Sequence, residues 1–170
     1  AQTGTGKTAA FALPLLDRFA RKRGRGPRAL VLAPTREQAT QIDAEIRLLA
    51  RNTKVKAVTV FGGVSAHHQI RALRGRPEIV VGCPGRILDL IGQGALKLGE
   101  VETLVLDEAD HMFDMGFLPD LRRILKQLPP RRQNLLFSAT MPGEIRKLAD
   151  GLLHEPHVAQ LSLSGPAETI

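Results

Sequence analysis

The chain has no tryptophan and no tyrosine, and its 170 residues include one cysteine and six phenylalanines. Unpaired bases are usually gripped by stacking on aromatic faces, and the phenylalanines here mostly sit in apolar patterns (Phe11, Phe19, Phe61, Phe137). A nucleic acid bound by such a chain is expected to be held by its backbone rather than read by its bases. Cys83 is alone and cannot close an internal disulfide, which fits a reducing, cytoplasmic setting. No apolar run approaches the ~20 residues of a membrane-spanning helix, so no membrane partner is expected. His67, His68, His111, His154 and His157 lack metal-ligand spacing with the cysteine, so no zinc site is expected.

Apolar residues make up 43% of the chain. That is an ordinary globular value, and a chain of this length buries roughly 70% of its unfolded surface without staples. Lysine and arginine number 24 against 17 acidic residues, a formal charge of +7. An excess of that sign favours polyanions such as nucleic acid. The densest charge run, Arg21 to Arg28, reads as a solvated connector in preference to a nucleic-acid arm.

Short apolar runs recur at 29–33, 57–61, 78–82, 103–107 and 134–138, and more weakly at 158–163. Between them apolar residues fall at helical spacing, as with Ala39, Ile42, Ile46 and Leu49, or Leu118, Leu121, Leu125 and Leu128. Helices are predicted near 7–21, 36–51, 65–74, 84–92, 117–128 and 143–153, the first with a kink at Pro14. Strands apolar throughout, alternating with amphipathic helices, predict an α/β fold. Its parallel sheet would carry helices on both faces, in three α/β/α layers.

Two segments carry the nucleotide chemistry. Ala1 to Thr8 (AQTGTGKT) matches a phosphate-binding loop with Ala1 in place of the first glycine. Gly4 and Gly6 allow the tight turn, Lys7 reaches phosphate oxygens, and the Thr8 hydroxyl suits magnesium. Such a loop normally follows a buried strand, and none precedes Ala1, so the sheet is expected to show a gap or a compensating neighbour. Asp107 and Glu108 end a predicted strand, where ligands of open α/β sheets bind. Asp107 is placed to hold magnesium and Glu108 to orient or deprotonate a water.

Pro34–Glu37 (PTRE), Gly62–Gly63 and Cys83–Arg86 (CPGR) follow three further strands. Each has a local reading as cap, turn or surface arginine, but three together favour a track for a nucleic-acid backbone. Ser138 and Thr140 end another strand. Their hydroxyls either bond Asp110 or cap the strand end, and the residues alone do not decide.

AQTGTGKT, PTRE, GG, CPGR, DEAD and SAT occur in this order over nearly the whole chain. In this the chain closely resembles the first RecA-like lobe, a P-loop NTPase fold, of DEAD-box ATP-dependent RNA helicases, most like the bacterial members. The resemblance implies ATP and Mg2+ as cofactors and RNA as partner. Gly4, Thr5, Gly6, Lys7 and Thr8 would bind ATP and the metal. Asp107 and Glu108 would serve the metal and the attacking water. Pro34, Thr35, Arg36, Gly63, Gly85 and Arg86 would face the RNA backbone, and Ser138 and Thr140, with Asp110, would couple nucleotide state to RNA state. Residues 1–161 are expected to form the lobe and 162–170 the start of a linker. Cys83 stands where threonine is usual and Gln38 where leucine is usual. The adenine-recognition motif and the second lobe are not in the sequence, so ATP hydrolysis by the chain alone is expected to be minimal. The alternative reading is a non-catalytic, ATP-gated RNA clamp, and a third is a DNA-directed relative.

Overall fold

Four-residue runs, largely aliphatic except for the last (Gln133–Leu136), dictate the centre of this molecule. In the computed structural model, which describes residues 6–22 and 24–160, these runs form five parallel strands. They are β1 (Ala29–Leu32), β2 (Ala57–Val60), β3 (Ile79–Gly82), β4 (Thr103–Leu106) and β5 (Gln133–Leu136), in the order β2-β3-β1-β4-β5. Every residue of β1, β3 and β4 is buried, as strands covered on both faces require. The expected fold is therefore present. The five strands are contiguous, with no gap between them, and β2 and β5 are the edges among the described residues.

Alternation along the strands sends side chains into two cores. Ala29, Val31, Ile79, Val81 and Val105 pack with α1 (Lys7–Arg21) and α2 (Arg36–Ala50) on one face. Leu30, Leu32, Val80, Leu104 and Leu106 pack on the other. That second face is covered by α3 (Ala66–Leu73), α4 (Pro84–Gly92), α5 (Ala109–Asp114), α6 (Leu118–Leu125) and α7 (Gly143–Leu152). α1 runs as one helix through Pro14, which lies on its exposed side while Phe11, Leu15, Leu16 and Phe19 face the core.

Three details depart from the sequence reading. The apolar pattern does not foreshadow α5: it is six residues long and buries only Ala109 and Met112, too short to show a helical period. Residues 158–160 form no strand, and the rest of that weak run, like the proposed linker at 162–170, lies outside the described residues. The basic run 21–28 is not wholly solvated. Arg28 is buried, stacks 4.2 Å over the Phe19 ring and bonds Glu102, so it ties the turn to the sheet.

Gly82 sets how closely β2 and β3 approach beneath α4. A Cβ there would sit 2.6 Å from the Val60 carbonyl oxygen and 2.9 Å from Ile87 Cδ1. Backbone cannot yield as a flexible side chain can, so Gly82→Ala is expected to cost about 1–3 kcal/mol, as overpacking does. Denaturant unfolding measures it, and an unchanged midpoint would mean that β2 can shift freely.

Candidate functional site

All five strands run the same way, so the segments that follow them gather at one end of the sheet. Lys7 opens α1 directly after Gly6, whose φ of 77° is the left-handed turn that glycine adopts without strain. The first turn of α1 holds no acidic residue and no side chain caps it, so its free N–H groups present positive potential to an anion. Lys7 Nζ donates to Asp107 Oδ1 at 3.0 Å, and both side chains are mostly withdrawn from solvent. Asp107 is fixed from behind, since its N–H donates to the Leu32 carbonyl at 2.9 Å.

Glu108 follows with a φ of 51°, unusual for a side-chain-bearing residue. Strained backbone of this kind concentrates at functional sites. Its carboxylate Oε2 accepts a hydrogen bond from Gln38 Nε2 and lies 3.3 Å from His111 Nδ1. Gly6, Lys7, Thr8, Gln38, Gln41, Ile42, Glu45, Asp107 and Glu108 line one cleft. A lysine, a hydroxyl and a helix N-terminus suit phosphate, and the Thr8 and Asp107 oxygens are hard donors of the kind magnesium takes. The donor set therefore fits a magnesium–triphosphate. Gly4 and Thr5 lie outside the described residues.

Gln38, which reads in sequence as a tolerable helix position, has a larger part. A signal for it exists: Thr35 and Gln38 have the spacing of a capping box. Thr35 Oγ1 accepts from the Gln38 N–H at 3.3 Å and donates to Gln38 Oε1 at 3.0 Å. With the bond onward to Glu108, a polar chain runs from the turn after β1 to the carboxylate after β4. Gln41 and Glu45, one and two turns further along α2, line the cleft only because that face packs beside α1.

Asp110 and the segment after β5 are joined. Thr140 Oγ1 and the Thr140 N–H each donate to Asp110 Oδ2 at 2.9 Å, and the Asp110 N–H donates to Ser138 Oγ at 3.0 Å. Both readings left open by sequence are present: alongside the bonds to Asp110, the Ser138 hydroxyl donates to the Thr140 carbonyl at 2.7 Å and so closes the strand end locally. Burial pushes the Asp110 carboxyl up, but the Thr140 hydroxyl and N–H, the Ser138 hydroxyl and the His111 N–H together hold it below its ordinary value.

The other strand-end residues are placed as follows. Pro34 is buried, and Thr35 is the N-cap of α2. Arg36 is exposed with its guanidinium 4.8 Å over the Phe61 ring. Gly63 is exposed with a φ of 78°, and Gly85 is exposed in the first turn of α4. Arg86 points inward: it donates to Gln69 Oε1 at 3.1 Å and the Val64 carbonyl at 2.9 Å, and pairs with Asp89 at 3.4 Å. It therefore braces the loop after β2 against α3 and α4. Cys83 precedes Pro84 as the N-cap of α4 and supplies no capping bond. Burial, with Glu37 adding to it, pushes its thiol up to about 11, so the group stays neutral.

A family model described as DEAD/DEAH box helicase matches residues 1–148. The ATP-dependent RNA helicase CshA of Listeria monocytogenes is 50% identical over 161 residues, which cover 95% of this chain and 31% of that protein. The DEAD-box ATP-dependent RNA helicase CshA of Geobacillus kaustophilus is 47% identical, over 95% of this chain and 34% of that one. Among solved structures, a DEAD box protein from the hyperthermophile Methanococcus jannaschii superimposes with a TM-score of 0.84 at 45% identity, covering 91% of this chain and 42% of the other. The chain thus spans about a third of the length of the curated relatives it matches.

The Asp110 bonds carry a pH dependence. Because the folded carboxyl lies below its ordinary value of 3.8, its contribution to stability is complete above that pH and is lost as pH falls through the lower folded value. The stability difference between the parent and Asp110→Asn is therefore expected to be widest near neutrality and to close in acid. Urea unfolding followed from neutral pH into acid below pH 3.8 reads it. A difference independent of pH would mean that the charge adds nothing to these bonds.

Proposed function

The chain belongs to the DEAD/DEAH box helicase family, and from that premise we propose that it is the nucleotide-binding lobe of an ATP-dependent RNA helicase, in which ATP hydrolysis drives local unwinding of RNA duplexes. The observation that carries this reading is the convergence of Lys7, Asp107 and Glu108 on one cleft, with Lys7 Nζ 3.0 Å from Asp107 Oδ1. The curated relatives named as RNA helicases support RNA over DNA.

In this mechanism the N-terminus of α1, with Gly4, Thr5 and Gly6, cradles the phosphates. Lys7 exchanges its bond to Asp107 for phosphate oxygens. Thr8 and Asp107 would hold the magnesium, whose charge offsets that developing on the triphosphate. Glu108 accepts the proton of the attacking water, and its bond from Gln38 and its neighbour His111 keep the carboxylate oxygen in the cleft. Pro34, Thr35, Arg36, Gly63 and Gly85 border the RNA backbone, with Arg86 acting by fixing the Gly63 loop. Asp110, Ser138 and Thr140 connect the two activities. The setting is cytoplasmic. A second lobe supplies the remaining catalytic groups, and loss of an arginine finger of the usual kind costs ~10³–10⁵ in rate. The 170-residue chain alone is therefore expected to turn over almost no ATP.

Glu108→Gln in the full-length protein tests the reading. Removing a general base is expected to slow RNA-stimulated ATP turnover about 10²–10⁴-fold while RNA and nucleotide still bind. Unchanged RNA retention with no effect on function would instead favour the non-catalytic clamp. Gln38→Leu removes both side-chain bonds of the polar chain at similar volume. It is expected to lower kcat several-fold, about 1 kcal/mol in barrier for one neutral bond, with little change in KM for ATP. A change confined to KM would make Gln38 a binding residue and nothing more.

A further inference from the structure

Away from the cleft, charge is distributed very unevenly. Between Ile46 and Pro77 there is no aspartate or glutamate, while Arg47, Arg51, Lys54 and Lys56 stand before β2 and Arg71, Arg74 and Arg76 before β3. Taking these seven from the 24 cationic residues leaves 17, equal to the 17 acidic ones. The whole formal excess of +7 therefore belongs to this one stretch.

In space the stretch is a corner of the molecule: the end of α2, the edge strand β2, α3, and the turn into β3. Its seven cations are all exposed. They surround the N-terminal ends of β2 and β3, the opposite end of the sheet from Asp107 and Glu108. A cleft of about 530 Å³ opens there, lined by Arg47, Arg51 and Lys56 together with Ala50, Val55 and Pro77.

Local duties account for two of the cations. Arg47 and Arg71 sit in the last turns of α2 and α3, where positive charge offsets the helix dipole. Arg47 also bonds Asp43 and the Ala57 carbonyl, both at 2.6 Å. No ion pair or hydrogen bond engages the side chains of Arg51, Lys54, Lys56, Arg74 or Arg76 among the described residues. The acid that follows the stretch, Glu78, is buried, and its carboxylate already accepts the Lys56 N–H at 2.8 Å.

Unpaired like charges on one corner repel one another, and a polyanion relieves that repulsion while releasing counterions. The cleft offers alanine, valine, threonine, glycine and proline but no aromatic ring. It therefore has neither a platform for bases nor the large anchor pocket typical of a protein partner's interface. What remains is a grip on phosphates alone.

We propose that this corner is a second RNA-backbone site, which docks the folded or duplex portion of an RNA whose single strand lies across the other end of the sheet. The inference rests on the RNA reading above. The test uses the full-length protein and two RNAs, a short single strand and the same strand joined to a hairpin.

In the variant carrying R51Q, K54Q, K56Q, R74Q and R76Q, affinity for the hairpin RNA is expected to fall at least tenfold at low salt. Its log affinity against log salt should become shallower by about 0.7–0.9 for each phosphate that is no longer neutralised. Binding of the short strand, and the ATP turnover it stimulates, should stay as in the parent, as should the thermal midpoint. Arg51→Lys with Arg74→Lys and Arg76→Lys keeps the charge and should keep the binding, whereas R51Q or R74Q alone should each take part of the slope.

Equal loss on both RNAs would overturn the proposal by making the corner part of the strand-end grip. So would no loss on either, or a loss confined to poly-glutamate binding, which would mark an acidic protein's surface. If the parent binds neither RNA, it is the proposed function that fails. If the short strand binds and drives turnover while the variants change nothing, only this inference does.

Discussion

Lys7 and Asp107 are 100 residues apart in sequence and 3.0 Å apart in space, and both are largely withdrawn from water. Such a pair contributes little net stability, because desolvating two ions offsets most of their attraction. A core built for stability alone would be served as well by two aliphatic side chains. The charges make physical sense as halves of a site for something charged on both counts, an anion for the ammonium and a cation for the carboxylate. Each partner holds the other's place, and the surrounding structure bears the cost. Gly6 takes the left-handed turn that begins α1, and the Leu32 carbonyl anchors Asp107 by its own N–H.

The second constraint is the common direction of the strands. Parallel pairing in register brings Leu32, Gly82, Leu106 and Leu136 to the same level, and Val60 lies beside Gly82. Every strand-to-helix turn therefore opens at one rim, which is why short segments scattered along the sequence become neighbours. The same geometry puts every helix-to-strand turn at the opposite rim. The acids of the cleft and the unpaired cations of the β2 corner are thus kept apart by the strands themselves, each four residues long and roughly 13 Å at the usual rise.

Much of this is legible without coordinates. Runs such as Leu104-Val105-Leu106 are apolar throughout, as strands covered on both faces require, and they form the central strands, while the more polar run at 134–138 forms the partly exposed edge strand β5. The boundaries of α1 and α4 can be read because glycine and proline mark them. What stays hidden depends on contacts between distant segments. α5 has too few buried residues to show a period. Arg86 looks like any surface arginine until α3 brings Gln69 beside it. Arg28 belongs to a basic run whose other members give no hint that Phe19 and Glu102 draw it inward. Gln38 is visible as a capping residue, but its reach to Glu108 is a fact about two strands' ends and not about one helix.

Those distant contacts bear on how the two halves of the site could communicate. Coupling needs an element with more than one arrangement that both ligands bias. α5 is suited to the part by its anatomy. Its N-cap is Glu108, and its first turn carries Asp110. Ala109 and Met112 are buried and Phe113 packs partly against the same core, a small anchor, and elements with few buried contacts move at least cost. From one side Gln38 and Thr35 hold Glu108, and from the other Ser138 and Thr140 hold Asp110. A displacement of this single turn would move the carboxylate in the cleft and break or remake the bonds to the segment after β5 in the same step. Two polar networks that share a helix six residues long would then move together.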